Sequence, residues 1–288
     1  MSNYKHGIRT SRRDTQLTVP VTSDGCLQCV IGTAPVNLAE NPYDTVNRPF
    51  VFHNKQAAIA GLGYCTDFEN YTLCQSMYAT FDVFGVAPLI MINVLDPEKH
   101  VTAELSKEYA VEGGKMKIPE TGILLDKLSV VSAGESETVY KPDEDYIASF
   151  NADGTVTVAI VSGGAAAAEN KLKVTYVQLE PSQVTYDDVI GAYNVKTKKK
   201  TGMELIGSVY PKFGLVPSLL LAPGWSHIPA VRLALAVKAQ LISSLFTAKV
   251  IADLDTAEGK ADSMEEVEGY KNSIACSDRD TIPVWPIV

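Results

Sequence analysis

No stretch of this 288-residue chain holds the ~18 uninterrupted apolar residues that a membrane-spanning helix needs. The first residues, Met-Ser-Asn-Tyr-Lys-His-Gly, lack the apolar core of a secretory signal. The expectation is a protein made and kept in the cytosol, with no membrane partner. Positive charge is also short: 25 Lys and Arg stand against 34 Asp and Glu, a formal net charge of −9. Phosphate contact needs clustered cations, so nucleic acid is not an expected partner. The one basic run, Lys196 to Lys200, reads as a solvated loop. Cysteine is scarce and odd in number, at five, which argues for reduced thiols over a disulfide framework. Cys26 and Cys29 form a Cys-x-x-Cys, but inside an apolar strand-like run, where positions three apart point to opposite faces.

Signatures of catalysis are equally thin. His6, His53, His100 and His227 share no spacing, and no two of them stand four apart as metal ligands on a helix would. Gly61-Leu-Gly63 lacks a third glycine and follows a helix rather than a strand, so it is neither a dinucleotide fingerprint nor a phosphate loop. Gly224-Trp-Ser-His227 is not a nucleophile elbow, because no glycine follows the serine at the required place. Ser226 ahead of Ile228-Pro229 reads instead as a helix cap with proline in the first turn. Asp253 and Asp255 lie at the C-terminal end of an apolar run, the edge where open α/β sheets place ligands. Two apart, they would face one side, as carboxylates on a divalent metal sometimes do; the plainer reading is acids that end a strand. No catalytic residue, metal or cofactor is expected.

What is present is an alternation of strand and helix. Residues 215–255 read as one strand–helix–strand unit: Leu219 to Ala222, stopped by Pro223-Gly224, then a helix over 229–246, then Val250 to Ala252. Strands apolar on both faces belong to a parallel sheet covered on both sides. Upstream, a buried strand within 25–35, a short extended run at 49–52 and a helix capped by Asn54 and ended by Gly63 precede the clearest amphipathic pattern. That pattern predicts a helix over 67–84, with Tyr71, Cys74, Met77, Tyr78, Phe81 and Phe84 on one core-facing stripe. A buried strand over 89–95 follows.

The character changes at Asp96-Pro97. Short runs of period two, at 123–132, 137–140, 146–150, 156–161 and 172–179, alternate with turns, and between Glu98 and Glu180 fourteen acids face eight lysines. The Ala165 to Ala168 run reads as a turn tip. Helical character returns at Thr185, with Asp187 and Asp188 in the first turn, over 203–213, and over 256–272; the apolar run from Ile282 looks like the lead into another buried element. The fold class is α/β (α+β overall): an α/β layered domain, 23–96 and 184–288, with an inserted antiparallel β domain, 97–183. Residues 1–22 form an extended N-terminal arm. Within it Gln16, Leu17, Thr18, Val19 and Val21 have strand chemistry around Pro20, which confines such a strand to an edge.

Several of these motifs together resemble the contractile tail sheath proteins of bacteriophages and phage-tail-like particles. They are His6-Gly-Ile-Arg-Thr, Val30-Ile-Gly-Thr-Ala-Pro35, the Phe68 to Phe84 stretch leading to Pro88-Leu-Ile-Met-Ile-Asn-Val94, Leu221-Ala-Pro-Gly-Trp-Ser226, Pro229-Ala-Val-Arg-Leu-Ala-Leu and Val250-Ile-Ala-Asp-Leu-Asp255. The resemblance implies a homo-oligomer of six-membered rings stacked helically around a tail tube protein, bounded by baseplate and tail terminator proteins. It implies a virion tail assembled in the host cytoplasm and held until contraction, with no enzyme activity. It also implies an exchange of terminal arms between neighbours, for which Gln16 to Val21 is the matching segment. Such proteins usually continue past the Trp-Pro region into a C-terminal domain, so this chain reads as a shortened sheath. Two other readings stay open: a metal-dependent enzyme at Asp253 and Asp255, and a host- or glycan-binding module over 97–183.

Overall fold

The computed structural model describes residues 27–134, 138–276 and 278–286; the arm residues Gln16, Leu17, Thr18, Val19 and Val21 lie outside them, as does Cys26. The first described strand, β1 (Gln28–Gly32), is buried from Cys29 onward. After β2 (Pro49–Phe52) comes α1 (Lys55–Leu62). Asn54 caps it by accepting the Ala57 N–H at 2.8 Å, and Gly63 ends it at a φ of 76°. The predicted 67–84 helix is shorter: α2 spans Thr72–Met77, a π-helical turn covers Tyr78–Val83, and β3 (Leu89–Asn93) follows, wholly buried. The start of α2 is displaced because Asn70, Thr72 and Leu73 bond across to Thr33. The Thr33 hydroxyl donates to Asn70 O at 2.8 Å, and the Leu73 N–H donates to Thr33 O at 3.0 Å. The widened π turn also breaks the stripe, burying Tyr71, Cys74 and Met77 but leaving Tyr78 and Phe84 exposed.

From Leu105 the chain builds antiparallel sheets: β4 (Leu105–Ala110), β5 (Lys115–Ile118), β6 (Ser129–Ser132), β7 (Val139–Tyr140), β8 (Tyr146–Phe150), β9 (Val156–Ile160) and β10 (Lys171–Tyr176). They form one sheet ordered β4-β10-β6-β7 and another ordered β5-β9-β8. Met116, Ile118, Val130, Tyr146, Val156, Val158, Leu172 and Tyr176 fill a common core between them. Neither β4 nor β5 was expected from the sequence. The first is exposed or half-buried throughout, and the second is only four residues long, although its Lys-Met-Lys-Ile alternates cleanly. The Ala165–Ala168 run is a single 3-10 turn.

The chain returns through α3 (Tyr186–Ile190) and a small hairpin, β11 (Tyr193–Asn194) with β12 (Lys199–Lys200), that carries the lysine run. The 203–213 helix is realised as a 3-10 stretch, Gly202–Ser208, continuing into α4 (Val209–Phe213). Then come β13 (Leu219–Leu221), α5 (Pro229–Gln240), β14 (Lys249–Asp253), α6 (Val267–Ser273) and β15 (Thr281–Val284). Helix α5 stops six residues before Phe246, where the expected helix ended. Ser243 and Ser244 adopt left-handed backbone, and the Ala248 N–H caps Ala239 O at 2.8 Å. Only the last part of the 256–272 region is helical, because residues 255–266 are held in turns closed by Asp255 and Asp262.

The six strands order as β15-β14-β13-β1-β3-β2, all parallel except β2 against β3. The fold is therefore α/β, with β1 at the centre where strand order reverses. Its core joins Val30, Ile31, Ile90, Met91 and Leu220 of the sheet to Leu73 and Met77 of α2 and to Val231 and Leu235 of α5. Each such side chain, fully buried, stabilises by roughly 1.5–3 kcal/mol. The apolar C-terminal run forms β15, the outer strand of this sheet.

Candidate functional site at the C-terminal edge of the parallel strands

Strands β1, β13, β14 and β15 all point their C-terminal ends at one edge, so the loops that follow them converge there. A cavity of about 450 Å³ opens at this edge, walled by Phe68, Pro223, Val284 and Pro286 and carrying Glu69, Gln75, His227 and Asp253. Gly224 makes the turn after β13 at a φ of 74°; a Cβ there would stand 2.9 Å from Thr72 Cγ2. That turn drives Ser226 inward rather than to the start of α5, whose capping position is Ile228 with Pro229 at the first turn. The expected Ser226 cap is thus replaced by another role. Its buried hydroxyl donates to Asp253 Oδ2 at 2.7 Å and accepts the Asp253 N–H at 2.9 Å.

The two aspartates do not act as a pair. Asp253 is held by Ser226, while Asp255 accepts the Ala257 N–H at 3.0 Å and forms an ion pair with Lys260. Burial alone would raise the Asp255 carboxyl. The Lys260 ammonium, the Ala257 N–H and nearby His227 outweigh it and hold the group below the ordinary aspartate range. Among the described residues no group of three or more His, Cys, Asp or Glu is placed to hold a metal ion. Ser226 is 1 % exposed and meets a carboxylate with no imidazole between them, so it lacks the access and the base of a nucleophile. Cys29 is likewise inert, its thiol pushed up to about 12 by burial.

Two further features were not anticipated. On the outer side of α5, Leu233 and Val237, with Leu241 and Leu245 beyond its end, are each more than half exposed, Leu245 at 71 %. Their i, i+4 spacing was readable, but the apolar run around them reads as buried on every side. The second feature lies where the chain leaves β3 and re-enters at α3. The His100 ring, 1 % exposed, accepts the Asp96 N–H at Nδ1 over 2.9 Å. Its Nε2 stands 3.6 Å from Asp188 Oδ2, and the Lys99 ammonium pairs with Asp188 Oδ1. Asp188 also accepts the Thr185 N–H at 2.9 Å and the Thr185 hydroxyl at 2.7 Å. Burial pushes the His100 pKa down, and Lys99 adds to this against the opposing pull of Asp188 and Asp96. The sequence signal was the Thr185-x-x-Asp188 spacing, which marks the helix start but not its partner eighty-eight positions earlier.

No protein-family model matches the chain. Over 283 residues, 96 % of its length, it is 26 % identical to the tail sheath protein of Burkholderia phage BcepMu. The chain spans about half of that relative, 55 % of its length. That similarity, running through nearly the whole chain, supports a phage tail sheath family for it.

Proposed function

We propose that this chain is a structural subunit of a contractile tail sheath. It polymerises as stacked hexameric rings around a tail tube and contracts to drive the tube through the target cell envelope. The observation that carries this reading is the near-complete coverage of the chain by its similarity to a tail sheath protein. The exposed Leu233, Val237, Leu241 and Leu245 surface is consistent with it, since an apolar stripe of this kind usually marks a protein contact. In this reading residues 23–96 and 184–288 form the body that transmits force, 97–183 the outward lobe, and 1–22 the arm. Gln16, Leu17, Thr18, Val19 and Val21 add as a strand to a neighbour. The tail tube, baseplate and tail terminator proteins are the partners, and the virion tail, assembled in the host cytoplasm, is the location. The role in this reading is mechanical rather than enzymatic, which the similarity to a tail sheath protein supports.

Electron microscopy of the native particle, with antibody against this chain, tests the proposal. Regularly spaced label along a tail that shortens on triggering is expected. Label confined to another structure, or an unlabelled tail, overturns it.

A further inference from the structure

We propose that His100 is a proton-operated latch on the crossing between the six-stranded sheet and the β-rich segment, releasing the Asp96 backbone when the ring gains a proton. Both passages of the chain meet at this ring: Asp96 lies three residues after β3, and Asp188 lies on α3 where the chain returns. Nδ1 accepts the Asp96 N–H at 2.9 Å, so in the neutral ring the hydrogen sits on Nε2. An imidazolium carries hydrogen on both nitrogens. Protonation therefore sets two N–H groups against each other at Nδ1, and the Asp96 amide must turn away to find another acceptor.

The opposite end of the ring responds in the other sense. Nε2 remains a donor and gains charge 3.6 Å from Asp188 Oδ2, so the ring is drawn towards α3 as it lets go of Asp96. Beside the ring, α3 presents Asp187 and Asp188, and the turn that carries it presents Asp96 and Lys99. Glu98 is tied to Asp96 Oδ1 by its N–H at 2.9 Å. From the end of the β-rich segment, the Glu180 N–H donates to His100 O at 2.9 Å. The Asp188 and Asp96 carboxylates favour the added proton; burial and Lys99 oppose it. Lys99 is itself held on Asp188 Oδ1, which weakens what that carboxylate offers the ring. Mild acid thus frees the first crossing while the second stays capped by Thr185 and Asp188.

Amide hydrogen exchange of the intact chain, read at Asp96 and corrected for intrinsic pH dependence, tests this. Protection at Asp96 is expected to fall progressively as pH drops below the ordinary histidine range, while Ile92 inside β3 stays protected. His100→Asn keeps an acceptor near the Nδ1 position and cannot take the proton, so its profile is expected to be flat. Asp188→Asn removes the anion that favours protonation and leaves the Asp96 bond untouched, so the same fall should appear at lower pH. Constant protection at Asp96 in the parent, an equal fall in His100→Asn, or an unmoved Asp188→Asn profile overturns the proposal. If His100→Asn does not fold, the Asp188→Asn comparison decides alone.

Discussion

Ser226 and Asp253 clasp each other twice, the hydroxyl donating to the carboxylate at 2.7 Å and accepting the backbone N–H at 2.9 Å. The clasp joins the loop after β13 to the last residue of β14, two neighbouring strands whose ends would otherwise be free to splay. Ser226→Ala leaves a part-buried N–H and a carboxylate oxygen unanswered, and should destabilise by about 1 kcal/mol. Asp253→Asn keeps an acceptor and should cost less. Urea unfolding midpoints of the two variants check the order; equal losses would mean that the charge of the Asp253 carboxylate, and not merely an acceptor at that position, holds the clasp.

Asp255 gives a pH-dependent prediction. Its carboxyl is held below the ordinary aspartate value in the fold, so the folded chain binds that proton less readily than the unfolded one. The stabilisation is present at neutral pH and is lost as pH falls through and below ~3.9. Asp255→Asn should therefore be less stable than the parent at pH 7, with the gap closing as acid is added. Midpoints measured from pH 7 to pH 3 test this, and a gap independent of pH would rule out the ion pair with Lys260 as its source.

Helix α5 separates folding from assembly. Leu235 is fully buried, and Leu235→Ala should cost about 2–5 kcal/mol. Leu233 and Val237 face outward. Exposed charge costs little there, so Leu233→Glu with Val237→Glu should change stability by about 0.5 kcal/mol or less while sharply reducing self-association. Thermal melts paired with sedimentation velocity distinguish the two effects. A melting loss from the outward pair as large as that of Leu235→Ala would refute the division.

The parallel sheet was legible because its strands are apolar on both faces, as Leu89, Ile90, Met91 and Ile92 show along β3. Caps were legible where one side chain acts on its own turn, as with Asn54 and Thr185. What misled were competitors that act at a distance in sequence. Thr33 captures Asn70, Thr72 and Leu73 and delays α2, and Asp253 takes Ser226 away from the helix start. The Tyr78–Val83 π turn has no mark in the hydrophobic spacing, so the predicted stripe ran on through Phe84. Strand β4 escaped because it buries little on either face, leaving pairing with β10 as its main support.

Strand β15 adds a directional property to the rim of the sheet. The Val250 N–H donates to Asp280 O and the Leu254 N–H to Val284 O, so by alternation Thr281 and Pro283 turn their backbone polar groups away from β14. Proline has no N–H, so that outer side offers the carbonyls of Thr281 and Pro283 but only the Thr281 hydrogen. The rim is an acceptor-rich template. A strand that settles on it must give more hydrogens than it receives, and a random extended chain is discouraged from lengthening the sheet.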